Sequence, residues 1–249
     1  MIRVADLARR VGNKLYEAAF PVYRPLYSAW KAHADRAERR LVAGVLSAGN
    51  IVVDAGANIG VYSRFLSKCV GSDGMVHSFE PAPDNFTRLQ AAVADLPNVR
   101  VNQLAVSDTT GEQLLYVSSH LNVDHRTYPV EEESRHTVAI CSTSLDDYFK
   151  PGERVDLIKL DIQGYELHAM RGARRVLSEN PGIKLLFEFW PFGLRAAGIS
   201  PEALFDFLKD AGFRVGVFNG NRLEQYTESA VFGCARESFN NLFAQRTNW

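Results

Sequence analysis

From residue 50 onward, short apolar runs alternate with amphipathic stretches, the pattern of parallel strands with helices between them. Residues 50–54 read as a first strand that runs into a glycine turn. Residues 61–70 then place Phe65, Leu66, Cys69 and Val70 at helical spacing, closed by Gly71. Residues 75–80 are a second strand, ended by Pro81 and Pro83. A helix with Phe86, Leu89 and Val93 on one face follows, Pro97 stops it, and 99–106 is a third strand. There the alternation lapses. Residues 114–117 and 137–141 look like two strands joined by a polar loop, so an inserted β-hairpin is expected over about 107–150. The pattern resumes with a strand at 155–161, a helix carrying Leu167, Met170 and Leu177, and a strand at 183–189. Ser200-Pro201 supplies a cap and a first-position proline for a helix that presents Leu204, Phe205 and Leu208 and ends at Gly212. Residues 213–218 and 230–235 read as two closing strands.

The first 45 residues differ. Pro21 and Pro25 divide them into a first helix, a kinked middle and a second helix that ends near Gly49. The expected division is a helical segment, 1–45, ahead of an α/β domain, 46–249. Composition agrees with a soluble globular chain: 249 residues, 46% hydrophobic and 23% charged, which excludes collagen-like, disordered and membrane-embedded classes. Net charge −1 lacks the basic excess of a nucleic-acid binder, so no such partner is expected. The charge is uneven, however. Residues 1–40 hold nine Lys/Arg against four acids, a net +5, together with Tyr16, Phe20, Tyr23, Tyr27 and Trp30. Such a face is ordinarily a helical layer packed on its own domain with solvated arginines; contact of residues 1–40 with a membrane surface is the other reading. Arg3, Asp6, Arg9 and Arg10 interrupt any secretory apolar core, and no run is long enough to span a bilayer. Cys69, Cys141 and Cys234 are too few and too scattered for a disulfide framework or a zinc site, which points to a reducing cytoplasm.

The chemistry concentrates where Val52-Val53-Asp54 meets Ala55-Gly56-Ala57-Asn58-Ile59-Gly60. Glycines at 56 and 60 remove the Cβ atoms that would block a nucleoside. Glu80, twenty residues beyond Gly60, ends the second strand where a carboxylate binds ribose hydroxyls. There is no Gly-Lys-Ser/Thr, and Asn58 stands where the middle glycine of a dinucleotide fingerprint would be. Asp54 adds a negative charge that repels a pyrophosphate and welcomes a cationic ligand. Farther on, Asp161 ends the strand expected beside the first one, and Glu188 interrupts an apolar strand, where an unpaired carboxylate costs several kcal/mol and so needs a partner or a role. Glu166 suits a helix start as well as a site. The six histidines form no cluster: His120, His125 and Asp124 read as polar loop, His168 as a surface helix position, and no metal is expected.

The runs VVDAGANIGVYS, HSFEP, AVSD, DLIKLDIQGYE and LLFEFWP together resemble the FkbM-type methyltransferases, a branch of the class I S-adenosylmethionine-dependent enzymes, over about residues 40–235. The resemblance implies a Rossmann-like sheet of seven strands, one antiparallel, closed by a terminal hairpin. It implies S-adenosyl-L-methionine as cofactor, with Asp54, Gly56, Asn58 and Gly60 around its methionine part and Glu80 at the ribose. Ala57, Pro81, Asp108 and Asp161 complete the cofactor-binding set. Asp161 and Glu188 are the expected catalytic residues. Gln163 departs from the glutamate many members carry there. The expected reaction is O-methylation of a hydroxyl on a sugar, glycan or natural-product acceptor; a nicotinamide-dependent oxidoreductase and a non-catalytic cofactor-binding module are the alternatives.

Overall fold

The computed structural model describes residues 15–16, 18–118, 125–129, 135–220, 222–226 and 239–247. It opens with α1 (Phe20–Ala34) and α2 (Arg36–Val45). The chain stays helical through both prolines: Pro21 lies in the first turn, where no intrahelical N–H bond is lost, and Pro25 follows just beyond it. The break falls at Asp35 instead, whose N–H bonds back to Lys31 O and whose carboxylate pairs with Lys31 Nζ at 3.3 Å.

Alternation then gives β1 (Ile51–Ala55), α3 (Val61–Val70), β2 (Met75–Phe79), α4 (Pro83–Val93) and β3 (Val99–Asn102). The expected third strand is in fact two: after Asn102 the chain leaves the sheet, and β4 (Ala105–Val106) joins a small separate sheet. Its partners are β5 (Gly111–Ser118) and β6 (Arg135–Thr143), the expected inserted hairpin. There Ala105 packs with Leu115, Ile140 and Ala82. A short α5 (Leu145–Tyr148), capped by Ser144, leads to β7 (Leu157–Leu160). The helix expected next is also two, α6 (Glu166–Arg171) and α7 (Arg174–Glu179). Gly172 caps the first of them, and a side chain is excluded there because a Cβ would stand 2.0 Å from the Ser107 carbonyl oxygen. Next come β8 (Lys184–Phe189), α8 (Pro191–Ala196), α9 (Pro201–Asp210), β9 (Arg214–Asn219), β10 (Arg222–Gln225) and β11 (Asn240–Gln245).

The main sheet runs β10-β9-β11-β8-β7-β1-β2-β3. Strands β3, β2, β1, β7 and β8 are parallel, and β11 inserts antiparallel between β8 and β9. This is the expected seven-stranded arrangement with β10 added at one edge. The antiparallel strand lies at 240–245; the one expected at 230–235 falls outside the described residues. Alternate residues serve opposite faces. Val53, Ile158, Leu185 and Phe187 meet Leu167, Met170, Leu204 and Leu208 on one side, while Val52, Leu157, Leu186 and Phe243 meet Val42, Leu66 and Val70 on the other. Among the described residues no helix is long and apolar enough to cross a membrane.

Candidate active site

The C-terminal ends of β1, β2, β7 and β8 converge, the place where open α/β sheets bind ligands. After β1, Gly56 (φ +75°), Asn58 (φ +50°) and Gly60 (φ +81°) all take left-handed backbone conformations. The protein itself requires both glycines. A Cβ on Gly56 would lie 1.9 Å from the Asp161 carbonyl oxygen, and one on Gly60 would lie 2.9 Å from Leu89 Cδ1. The same bare Cα atoms are those expected to make room for a nucleoside, and the contacts with protein add a second reason for glycine at both positions. Asn58 tolerates its conformation because its Oδ1 accepts the Ile59 N–H at 2.8 Å. The Gly56 and Ala57 N–H groups both donate to Phe79 O, which ties the turn to the end of β2.

Glu80, just past β2, is buried. Its Oε2 accepts the Asn58 N–H at 2.8 Å and its Oε1 the Ala82 N–H at 3.0 Å. Burial pushes its carboxyl up to about 7 against the pull of those hydrogen bonds. Pro81 follows half-buried and leads into α4, where Asn85 accepts a hydrogen bond from Tyr16 at 2.5 Å.

Asp54 is fully buried on the α3 side of the sheet. Ser63 Oγ donates to its Oδ2 at 2.7 Å and Lys159 Nζ stands 3.2 Å from its Oδ1. Its charge is therefore already matched within the protein, which corrects the expectation of a carboxylate open to a cation. Lys159 continues the chain of charge, lying 3.8 Å from Asp161 and 5.1 Å over the Tyr62 ring.

Asp161 retains about a third of its side-chain exposure, at 32%. Burial raises its carboxyl, but Lys159 and Lys31 outweigh that and hold it below the ordinary aspartate range. Glu188 behaves oppositely: burial first, then the Asp161 and Glu166 carboxyls, push it well above the usual value. Gln163 joins the two, its Nε2 donating to Asp161 Oδ1 at 3.3 Å and to Glu188 Oε2 at 3.1 Å. Its backbone is left-handed (φ +59°), and its carbonyl accepts the Tyr128 hydroxyl at 2.6 Å. Strain of this kind persists only where neighbours impose it. Glu166 caps the same loop: its Oε1 accepts the Ile162 and Gly164 N–H groups at 3.2 Å, and burial pushes its carboxyl to about 7.

Three groups that the sequence reading missed line this pocket from the N-terminal helices: Lys31, Asp35 and Glu38. Glu38 is buried and accepts from Asn241 Nδ2 at 2.5 Å. Lys159 was missed too, although a lysine between Ile158 and Leu160 carries the same signal that singled out Glu188. Asp108 stands apart from these groups. It is exposed, and its carboxylate takes His168 Nδ1 at 3.0 Å and Ser107 Oγ at 3.1 Å. His168 is not a free surface residue, since its ring also stacks on Tyr165 with centroids 4.1 Å apart. Among the described residues no group of three His, Cys, Asp or Glu side chains is placed to hold a metal ion; His120 and Asp124 fall outside them.

A mainly parallel sheet with one antiparallel strand inserted near its edge, a glycine turn after β1 and carboxylates ending β2 and β7 define the class I, Rossmann-like methyltransferases. The model of the methyltransferase FkbM domain matches residues 54–215, and the chain belongs to that family, whose cofactor is S-adenosylmethionine. The methyltransferase sdnD of Sordaria araneosa is 27% identical over 205 residues, covering 68% of this chain and 76% of that protein. The 31-O-demethyl-FK506 methyltransferase FkbM of Streptomyces tacrolimicus is 46% identical over 68 residues, covering 26% of this chain and 25% of its own length. Among solved structures, a candidate rRNA methylase of Clostridium thermocellum aligns with a TM-score of 0.51 at 14% identity, over 84% of this chain and 92% of that one, a likeness of fold. Family membership removes the nicotinamide oxidoreductase from consideration.

Proposed function

We propose that the protein methylates a hydroxyl of a sugar, glycan or natural-product acceptor, with Asp161 as the group that takes the proton. The observation that carries this reading is the carboxyl pair at the ends of β7 and β8, joined by one amide and driven apart in proton affinity. Two acids so separated divide the roles of charged base and neutral partner. A hydroxyl must lose its proton as it is alkylated, and an ionised carboxylate within hydrogen-bond reach accepts it.

The residues present fit the cofactor by the chemistry of their donors and acceptors. Glu80 ends β2 with a backbone donor on each carboxylate oxygen, where a ribose hydroxyl would meet it, and Asp161 keeps a negative charge beside the turn. S-adenosylmethionine supplies an electrophilic methyl group on a sulfonium. Gly56, Ala57, Asn58, Gly60 and Pro81 would shape its site through backbone; Asp54 acts through Lys159. A role for Asp108 rests on the family resemblance alone. Residues 46–249 form the catalytic domain in this reading, and 1–45 its acceptor wall. A cytoplasmic setting accords with unpaired Cys69 and Cys141.

Asp161→Asn tests the assignment. Turnover, followed as methyl gain by mass spectrometry across an acceptor screen, should fall by about 10²–10⁴-fold while S-adenosylmethionine affinity changes little. A loss of affinity for S-adenosylmethionine but not for S-adenosylhomocysteine would make Asp161 a counter-charge instead. No change in either quantity would remove it from the site.

A further inference from the structure

Helix α1 is apolar on two sides. Toward the body it lays Phe20, Tyr23 and Tyr27, whose rings follow one another at 6.2 Å and 5.3 Å, and Tyr23 packs on Ile59 of the glycine turn. Away from the body, Val22, Leu26 and Trp30 recur at every fourth position and are 53%, 59% and 61% exposed. Pro25, Ala29 and His33 are exposed between them, on the same arc of the helix. The only Lys or Arg residues of α1, Arg24 and Lys31, are half-buried, and Lys31 turns inward to Asp35 and the pocket; the helix contains no Asp or Glu.

We infer that this outward stripe docks on an anionic membrane surface, with α1 lying in the interfacial plane. An apolar face with a tryptophan, on a segment rich in positive charge, has the composition of an interfacial helix. Charge decides between occupants. Residues 1–40 carry +5 while the rest of the chain carries −6, and Arg36 and Arg40 of the following helix are exposed. A second copy of the chain meeting stripe to stripe would bring the exposed Arg36 and Arg40 of the two copies together, whereas an acidic lipid surface attracts them. The inward aromatic face pins the helix to the body, so docking fixes the orientation of the whole domain. None of this depends on how the carboxyl pair is read.

The test uses the full chain with vesicles of phosphatidylcholine alone and of phosphatidylcholine mixed with phosphatidylglycerol. The protein should sediment with the mixed vesicles, less so in high salt, and Leu26→Glu with Trp30→Glu should lower partitioning at least about tenfold. Unchanged S-adenosylmethionine binding shows that the variant is folded, and Val22→Ser is the milder substitute should it not be. Three results overturn the inference: no association of the parent protein with the mixed vesicles, equal association of the variant, or a parent dimer that the variant converts to monomer.

Discussion

Where Gly56 has no side chain, the Asp161 carbonyl occupies the space, 1.9 Å from where a Cβ would be. Gly56→Ala should therefore destabilise the protein in the absence of any ligand, by about 2 to 4 kcal/mol, because the added methyl meets rigid backbone and φ +75° is unfavourable for alanine. Denaturant unfolding without cofactor measures this; unchanged stability with lost cofactor binding would show that the glycine serves only to clear room for a nucleoside. At this scale the chain was legible where a residue's type conflicted with its surroundings. Asn58 in a glycine turn and Glu188 in an apolar strand announced themselves in that way. Gly172 did not, since nothing near it in the chain reveals that Ser107 approaches.

Among the elements, α1 and α2 are the least expected contributors, since Lys31 and Glu38 lie more than 120 residues from Asp161 in the chain and meet it only through packing. Strand positions follow from a period of two and were read correctly for β1, β2, β7 and β8; which helix face looks into a pocket depends on a partner that sequence pattern does not name. The Asp35 break also locates a clean cut ahead of α2, which keeps Val42 and Leu46 in the core. Deleting residues 1–34 should leave a folded chain that binds S-adenosylmethionine, with acceptor turnover reduced at least about tenfold by loss of the Lys31 wall. Calorimetric titration and a turnover assay check the two halves. Normal turnover after the deletion would show that the wall is dispensable.

For the molecule as a whole, buried acids set a pH dependence. Glu80 and Glu166 are raised from an ordinary value of 4.5 to about 7, so the folded state binds protons more tightly than the unfolded chain across that interval. Their contribution is present in full below pH 4.5 and is lost as pH rises through 7. His77, pushed down to about 4 by burial, works the other way as pH falls below 6.5. Comparing the parent with Glu166→Gln cancels the histidine. The variant's stability relative to the parent should rise by on the order of 3 kcal/mol between pH 4.5 and 8 in denaturant titrations, and a pH-independent difference would mean that Glu166 is not held protonated. The contact of Gly56 with Asp161 has a different kind of consequence. Pressed together without an intervening side chain, the turn after β1 and the end of β7 behave as a fixed caliper, so the scaffold itself sets the distance from the turn to Asp161. On the proposed reading, acceptors can be exchanged by rebuilding α1 and α2 while the distance from the turn to Asp161 stays the same.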